Sequence, residues 1–479
     1  MFVHLHVHSV YSFLDSTTSV TAYLKKAAEL NMPAMALTDH NCLSGAVEFH
    51  KQALELGIKP IQGAEITTED GYHLTLLAQN NLGYQNLCQM LTAGFQISRT
   101  QPVIPWQKLA LYHEGLIVLT GCRRSAIWQA LLRRQYQTAL QHLNQLINIF
   151  GKDHVYLEMI NTYLPKTNQV LAAINQLSLH TNIPLVASNN VHYLNKNHFP
   201  LYDLLVCTRT LTKLNDIHPE RPLNAENYFA SAEEMEQRFK QYPQALAAAE
   251  EISQRCEVSL SLNNNLFPKY QLPQEFSSSK QLLNHLVWQG AKRRYAKITP
   301  KIKVRLEHEL KIINQLDVTD YFLVIWDIIE YARSQNIRYA GRGSAADSAA
   351  AYCLGITNVD AIGRNLLFER FLNLEQARKP DIDVDFDASK RDQIAEYVYK
   401  KYGSDHAASV CTFVTYHARS ALRDLGRAFG YTEPELKQLP SHIPPYKPWF
   451  LSSPPHHAIQ PAKIAPPVHQ ARSSHSDEP

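Results

Sequence analysis

The sequence predicts an α/β protein in which a β/α barrel is followed by a smaller α/β region and by further helices. Between residues 2 and 193, short apolar runs bounded by turn residues alternate with amphipathic stretches. That alternation is typical of βα units around a parallel sheet that closes as a barrel. Beyond a Pro- and Ser-rich linker near residue 270, helical patterns dominate, interrupted by a glycine-rich turn and an acidic run.

The composition indicates a globular protein of two or three domains and excludes several classes of function. The chain has 479 residues, of which 45% are hydrophobic and 19% charged, and its net charge is only +3. Any nucleic-acid surface must therefore be a local patch. Its seven cysteines form no CxxC pair, which argues against a disulfide framework and a zinc ribbon. Because we find no signal peptide and no apolar stretch of about 18 residues, we expect a cytoplasmic protein without a membrane span.

Seven apolar runs supply the predicted strands of the barrel. In chain order they are FVHLHVH, PAMALTDH, IKPIQGAE, YHLTLLA, GLIVLTGC, HVYLEMI and IPLVASNNVHY. Each is short and bounded by turn residues, as buried strands are. Amphipathic stretches such as SVTAYLKKAAELN and YQTALQHLNQLINIFG lie between them and predict helices. Polar residues fall at or near the carboxyl ends of the runs, which is the face that carries the active site in β/α barrels.

Histidine, carboxylate and thiol side chains at the ends of these runs form the first candidate site. In the first run His4, His6 and His8 share one face of a strand, and two imidazoles at that spacing reach one metal ion. Further polar residues lie in or beside the other runs: Asp15, Asp39, His40, Glu65, His73, Cys122 and His192. This mixture of ligand types suits zinc or manganese, and a multi-metal site would activate water against a phosphoester. Alternatively each histidine is an ordinary polar residue at a strand edge, but the set as a whole favours the site.

The segments HLHVHS, TDH, GAE, HLTLLA, TGC and VHY resemble the polymerase-and-histidinol-phosphatase (PHP) domain at the front of bacterial C-family DNA polymerase alpha subunits. The resemblance implies a PHP-type barrel over residues 1–270. It also implies the metal ligands His6, His8, Asp15, His40, Glu65, His73, Cys122, Asn190 and His192. His4 lies on the family's strand but outside its usual ligand pair.

Asn190 departs from that family, whose last motif reads Asp-x-His where this chain has Asn190-Val191-His192. An amide oxygen is a weaker, neutral ligand, so one metal ion would be bound loosely or lost. In the family an intact site implies phosphoesterase or 3′→5′ exonuclease activity, and a degraded site implies a structural role.

A glycine turn in the second half of the chain begins the second candidate site. The segment IRYAGRGSAADSAAAYCLGI reads as a strand, a glycine turn and a helix. Gly341 and Gly343 would let the backbone approach an anion, and Arg342 adds charge. Ser344 and the following helix N-terminus would offer N–H donors. Such turns are common at helix starts, so this signal is weak by itself.

The acidic run PDIDVDFD is the stronger signal. Asp381, Asp383 and Asp385 alternate with apolar residues, so on a strand the three carboxylates share one face. Carboxylates so close together are costly unless a cation neutralises them, and two-Mg²⁺ phosphoryl transfer needs such a cluster. The alternative is a solvated acidic edge strand, but the apolar alternation indicates a half-buried strand and favours the site.

The run from DYFLVIWDII through GRGSAA and PDIDVDF to ARSALRDLG resembles the palm and the start of the thumb of C-family polymerases, over about residues 281–430. The resemblance implies a partial nucleotidyltransferase-like palm at residues 271–412 and the start of a helical thumb at residues 413–438. It implies that Asp381 and Asp383 bind the catalytic Mg²⁺ and that Gly343 and Ser344 contact the incoming triphosphate. SFLD and YCLGIT favour the error-prone branch.

The chain departs from the palm pattern in two ways. Asp347 stands where the family has Gly or Asn, and a carboxylate there would repel a triphosphate unless it points away or pairs with an arginine. The family's third catalytic aspartate is expected beyond the matched region, where residues 439–479 form a Pro- and His-rich tail. We expect that tail to be disordered and to reflect a truncation or a shifted reading frame.

Three arginines, Arg419, Arg423 and Arg427, recur every four residues and line one face of a predicted helix. They could contact the phosphates of primer–template DNA. The alternative is a solvated helix face stabilised by Asp424 and its neighbours, and the resemblance tips the choice toward DNA.

These observations predict a DNA-directed DNA polymerase that adds deoxynucleotides to a DNA 3′ end with Mg²⁺. The family implies primer–template DNA, deoxynucleoside triphosphates, a sliding clamp and other replisome or bypass subunits as partners, although the segments that bind the subunits are not found here. A first alternative is a metal-dependent phosphoesterase or 3′–5′ exonuclease, acting through the PHP site with zinc or manganese. A second alternative is a non-catalytic scaffold, which the histidine cluster argues against.

Overall fold

The computed structural model describes residues 2–261, 267–374 and 380–438, and the chain divides into two compact units. Unit 1 combines Met1–Leu260 with the chain from Thr415 onward, and unit 2 is Ser261–Val414. The boundary near residue 261 lies close to the linker that the sequence predicts. The tail at residues 439–479, for which we expect disorder, lies outside the described residues.

Unit 1 contains a curled six-stranded sheet with strand order β1-β2-β3-β4-β5-β6. Its strands are β1 (Ala34–Leu37), β2 (Lys59–Thr67), β3 (His73–Ala78), β4 (Leu116–Leu119), β5 (Val155–Ile160) and β6 (Leu185–Ser188). The first apolar run joins the two ends of the sheet, because His4 pairs with Met35 at the β1 edge and Val7 pairs with Val191 just beyond β6. The predicted α/β barrel-like architecture is therefore confirmed, and all seven apolar runs belong to it.

The expectation of an entirely parallel sheet is wrong at β3. This strand pairs antiparallel with both β2 and β4, whereas the β1–β2, β4–β5 and β5–β6 pairs are parallel. Only a short turn joins Thr67 to His73, closed by a hydrogen bond from Thr68 N to Tyr72 O at 2.8 Å, and a parallel crossover needs about a dozen residues. As a result His73, at the start of β3, lies at the same edge as the carboxyl end of β2.

Helices surround the sheet of unit 1, and their apolar faces form its core. They are α1 (Val20–Glu29), α2 (Ala46–Glu55), α3 (Asn81–Ile97), α4 (Trp106–Leu111), α5 (Ala126–Leu132), α6 (Tyr136–Phe150), α7 (Thr167–Thr181), α8 (Phe199–Thr210), α9 (Ala232–Arg238) and α10 (Pro243–Arg255). In α6, for example, Ala139, Leu143, Leu146 and Phe150 recur at helical spacing and are buried.

Unit 2 consists of helices and a two-stranded antiparallel sheet. Its elements are α11 (Ser279–Arg294), α12 (Pro300–Gln315), α13 (Thr319–Ser334), β7 (Tyr339–Arg342), α14 (Ala349–Leu354), β8 (Asp383–Phe386) and α15 (Arg391–Tyr402). Gly290 allows α11 to pack closely on α14, because a Cβ at this position would lie 1.9 Å from the Cys353 carbonyl oxygen. The sheet pairs β7 with β8, so the glycine turn and the acidic run are neighbours.

Two helices near the end of the described chain, α16 (Ala418–Ala428) and α17 (Glu433–Gln438), pack within unit 1. Ala428 is buried in an apolar cluster with Leu204 and Cys207 of α8, and its carbonyl accepts a hydrogen bond from Leu214 N at 2.9 Å. The segment that the resemblance assigns to the thumb thus clusters with the barrel unit.

Among the helices that the structure describes, none has the length and apolar character of a membrane-crossing segment.

Candidate metal centre and acidic strand

The sheet brings five of the predicted ligands together, with four histidines around Glu65. His6 and His8 project from the first run, His40 follows β1, Glu65 lies in β2 and His73 begins β3. The antiparallel β3 is essential to this arrangement, because in a parallel strand His73 would lie at the opposite edge. Four of the five residues are buried, and His40 is partly exposed.

Four histidines contact the Glu65 carboxylate. The nitrogen–oxygen distances are 2.8 Å to His40, 3.0 Å to His73, 3.4 Å to His6 and 3.8 Å to His8. Burial alone would raise the pKa of Glu65, but the surrounding histidines, His73 first, hold it well below its usual value. Glu65 is therefore an ionised carboxylate in the interior.

This donor set fits divalent metal ions. Two groups of ligand atoms, His6–His8–Glu65 and His40–Glu65–His73, each lie within 4.8 Å of one another and share Glu65. The Oε1 atom of Glu65 is buried and accepts no hydrogen bond within the described residues. This oxygen has the His6 imidazole nitrogen 3.4 Å away, and Glu65 would therefore be available to hold a metal ion together with the histidines.

A second layer of side chains orients these ligands. His6 Nδ1 lies 2.8 Å from Glu158 Oε1, and His8 Nδ1 lies 3.1 Å from Ser12 Oγ. The Ser12 hydroxyl in turn donates to Asp39 Oδ1 at 2.6 Å. Such partners fix the tautomer and ring orientation of a metal-binding histidine. Asp39 thus supports the site rather than facing it.

Glu158 is the functional residue that the sequence reasoning missed. It is 1% exposed in the middle of β5, and it also accepts a hydrogen bond from Ser188. Burial lowers the pKa of His6, but Glu158 and Glu65 outweigh it and raise that pKa to about 10. The available signal was a glutamate inside the apolar run HVYLEMI, since buried carboxylates are rare unless paired.

The other predicted ligands border the centre. Cys122 Sγ lies 3.7 Å from His73 Nδ1, and Asn190 Oδ1 lies 3.0 Å from His8 Nε2. His192 stacks on the His8 ring, with centroids 4.4 Å apart. The Asp15 carboxylate is the exception, because its nearest charged partner is Arg209 at 2.7 Å.

A cavity of about 530 Å³ opens beside the centre. Its volume suits a small substrate or the end of a polymeric substrate. The lining includes the predicted ligands Asp15, Glu65, His73, Cys122, Asn190 and His192 and the arginines Arg123, Arg124, Arg209 and Arg221. Cationic side chains beside a metal centre are suited to a phosphoester.

In unit 2 the acidic run forms a strand only from Asp383 to Phe386, so Asp381 lies just before the strand that the sequence predicts. Asp381, Asp383 and Asp385 are exposed, whereas Ile382 is buried and Val384 is half-buried. In the β7–β8 register Arg342 lies opposite Asp383. The Arg342 Nε atom lies 3.2 Å from Asp385 Oδ1, so the third carboxylate already has a cationic partner.

The two glycines of the turn are required for different physical reasons. Gly343 has φ +66°, which favours glycine, and a Cβ there would lie 3.1 Å from Asp383 Oδ2. Gly341 is required by packing, because a Cβ there would lie 2.2 Å from the Ile356 carbonyl oxygen. Of the two, only Gly343 would place a Cβ against a carboxylate of the acidic strand.

The expectation that the helix after the turn offers its N-terminus to an anion is wrong. Gly343–Asp347 is a 3₁₀ turn, and α14 begins only after Ser348. The buried Glu309 carboxylate accepts hydrogen bonds from Ala349 N at 3.0 Å and Ala350 N at 2.9 Å. These donors are taken because Glu309 occupies the end of the helix.

Asp347 stands 3.9 Å from Arg370, and its side chain is only 13% exposed. The sequence predicts that Asp347 repels a triphosphate unless its side chain points away or pairs with an arginine. The pairing with Arg370 meets the second condition.

The three arginines of α16 are exposed along one face, as the sequence predicts. Arg427 pairs with Asp424 at 3.2 Å and with Glu433 at 3.0 Å. The solvated-face interpretation therefore accounts for Arg427, and a DNA contact by this face stays a prediction.

Two family models match the chain. The PHP domain matches residues 4–162, and the bacterial DNA polymerase III alpha NTPase domain matches residues 281–471. The second match extends past residue 430, where the motif resemblance ends, into residues that the structure does not describe.

Curated relatives match almost the whole chain. An error-prone DNA polymerase of Symbiobacterium thermophilum is 48% identical over 92% of this chain and 42% of its own length. The DNA polymerase III alpha subunits of Bacillus subtilis and Escherichia coli are 38% and 36% identical and are each covered over 40% of their length. The chain thus spans about two fifths of these relatives. A solved amidohydrolase from Chromobacterium violaceum, 16% identical over 40% of this chain and 88% of its own, aligns with a TM-score of 0.30.

Proposed function

Because this chain belongs to the bacterial DNA polymerase III alpha family, we propose that it acts in template-directed addition of deoxynucleotides to a DNA 3′ end. Its substrates would be primer–template DNA and deoxynucleoside triphosphates. The observation that carries the proposal is the acidic face of β8, exposed beside the left-handed glycine turn.

Asp381 and Asp383 would hold Mg²⁺, which supplies the positive charge that phosphoryl transfer requires. Asp383 lies opposite Arg342 and beside Gly343, so the turn presents a guanidinium and backbone next to the carboxylates. These groups would position a triphosphate. Asp385 would hold Arg342 in place through the ion pair at 3.2 Å.

Primer extension by the purified chain tests this proposal, with lengthening and shortening of the primer scored together. We expect Mg²⁺-dependent lengthening that Asp383→Asn abolishes. The matched control, Asp392→Asn, alters an exposed aspartate of α15 and should retain most of the activity. Lengthening that survives Asp383→Asn would contradict the assignment.

A second function, hydrolysis of phosphoesters, is favoured by the buried Glu65 and the arginine-lined cavity. The ligand types suit zinc or manganese, and a bound ion would supply activated water. The chain's own residues would bind the ions through the four histidines around Glu65. They would hold the phosphate through arginines of the cavity other than Arg221, which Asp203 holds.

Primer shortening in the same assay tests this second function. We expect shortening to stop on chelation and in Glu65→Gln. Glu69→Gln alters an exposed glutamate four residues further along the chain and should leave shortening unchanged. Equal shortening by both variants would show that another site or a contaminant is responsible.

Identity favours the error-prone branch over the replicative one, at 48% against 38% and 36%. We propose on this basis that the role of this chain is in lesion bypass. Extension past an abasic template site checks this, since a replicative enzyme would stop there. Binding of a sliding clamp is proposed from the family alone.

A further inference from the structure

We infer that the Arg209 guanidinium takes the place of a metal ion at Asp15. Unit 1 would then bind two ions through the two histidine groups beside Glu65, and Asp15 would hold none. This inference rests on the metal centre proposed above. It assigns to Arg209 the role of a fixed cation in the substrate cavity, with a phosphate oxyanion as its ligand.

The contacts of Asp15 differ from those of Glu65. Asp15 Oδ1 lies 2.7 Å from Arg209 Nη1 and accepts a hydrogen bond from the Tyr202 hydroxyl at 3.2 Å. His192 Nδ1 is 3.9 Å from the same oxygen and bonds instead to the Asp15 backbone carbonyl at 2.6 Å. The carboxylate is thus bound by α8 and not by imidazoles.

Helix α8 places the Arg209 guanidinium beside Asp15. Tyr202 and Arg209 lie seven residues apart, which places both side chains on one face after two turns. The second nitrogen of the guanidinium, Nη2, lies 3.2 Å from Glu220. The Nε atom is buried and has no hydrogen-bond partner within the described residues. Arg209 is therefore held at the cavity wall by two carboxylates, and its Nε donor has no partner within the described residues.

Charge explains why an ion would not share the position. Asn190 supplies a neutral amide where a second carboxylate would be needed, so Asp15 is the one anion among Asp15, Asn190 and His192. Arg209 already gives Asp15 a positively charged partner at 2.7 Å. A divalent ion bound to the Asp15 carboxylate would lie close to the Arg209 guanidinium on the same carboxylate. Two positive charges so close together repel strongly.

The guanidinium nevertheless suits the cavity that it lines. Its planar donors match phosphate oxygens and keep their charge at every working pH. Arg221 lines the same cavity but is held by Asp203, with the guanidinium Nε 2.9 Å and Nη2 2.5 Å from the carboxylate oxygens, and by two backbone carbonyls. It therefore offers a matched control.

Metal stoichiometry tests the inference without reference to activity. The full chain, carrying Asp381→Asn and Asp383→Asn to silence the acidic strand, is stripped, saturated with Zn²⁺ and weighed by native mass spectrometry. We expect two ions with the PHP residues unchanged and three when Arg209→Met is combined with Asn190→Asp. The control, Arg221→Met with Asn190→Asp, should bind two.

Three ions in the chain with unchanged PHP residues, or two in the Arg209→Met and Asn190→Asp variant, would overturn the inference. No bound ion in any variant would overturn both it and the metal centre itself. If the Arg209 variant fails to fold, Asn190→Asp alone remains decisive: two ions support the inference and three contradict it. Inorganic phosphate should bind the zinc-loaded chain about tenfold more weakly after Arg209→Met, and equally after Arg221→Met.

Discussion

His4 shows how its neighbours decide whether a histidine in the first run is a ligand. It alternates with His6 and His8, yet its Nε2 atom lies 2.8 Å from the Ala230 carbonyl, and its ring packs on Phe2 and Phe229. Burial lowers the pKa of His4 from 6.5 to about 4, so the ring is neutral at pH 7. Its role is packing.

This shift predicts acid sensitivity. The unfolded chain protonates His4 near pH 6.5 and the folded chain only near 4, so stability falls as pH drops through that window. Relative to His4→Gln, the wild type should lose about 3 kcal/mol between pH 7.5 and 4. Denaturant unfolding at several pH values measures this, and His180→Gln at an exposed position should behave as wild type. Parallel pH curves for wild type and His4→Gln would contradict the prediction.

Glu158 predicts a different effect, on metal affinity. A neutral amide would no longer hold His6 Nδ1 as the carboxylate does at 2.8 Å. We expect Glu158→Gln to weaken Zn²⁺ binding about 10- to 100-fold. Competition with a chromogenic chelator measures this. Glu251→Gln, at an exposed glutamate of α10, should have no effect, and unchanged affinity in Glu158→Gln would remove Glu158 from the site.

At the scale of elements, β3 determines the shape of the metal centre. The sequence contained the evidence for its reversal, because Asp70 and Gly71 form a hairpin-type turn and Gly71 has φ +79°. The interpretation of YHLTLLA as part of one more βα unit overlooks this turn. The alternation of apolar runs predicts strands well, but it does not report their direction.

The N-terminus of α14 depends on Glu309, which belongs to α12. Removing this fully buried carboxylate leaves the amides of Ala349 and Ala350 and the Nε atom of Arg305 without their acceptor. We expect Glu309→Ala to destabilise unit 2 by about 3 kcal/mol. Hydrogen exchange at Ala349 and Ala350 should accelerate with it.

The control for Glu309→Ala is Glu307→Ala. Glu307 is exposed, and its carboxylate lies 3.8 Å from Lys303 in a solvent-exposed ion pair. We expect it to change stability by less than about 0.5 kcal/mol. Equal protection of the α14 amides in wild type and Glu309→Ala would contradict the capping role.

For the whole molecule, the sequence predicted the strands, the helices and most of the residues around the centre. Ligand types at strand ends carry that information locally. It could not predict that Asp15 pairs with Arg209 or that Glu309 caps α14, because these contacts join distant segments whose meeting depends on packing. The tail and the expected thumb stay predictions.

The measurement that tests the polymerase assignment most directly is equilibrium binding of a deoxynucleoside triphosphate to the purified chain, with and without Mg²⁺. It isolates the acidic strand and the glycine turn from every other part of a polymerase. The account predicts Mg²⁺-dependent binding that weakens at least about tenfold in Asp383→Asn and is retained in Asp392→Asn, at an exposed aspartate of α15. Binding that Mg²⁺ does not strengthen, or that Asp383→Asn leaves unchanged, would contradict it.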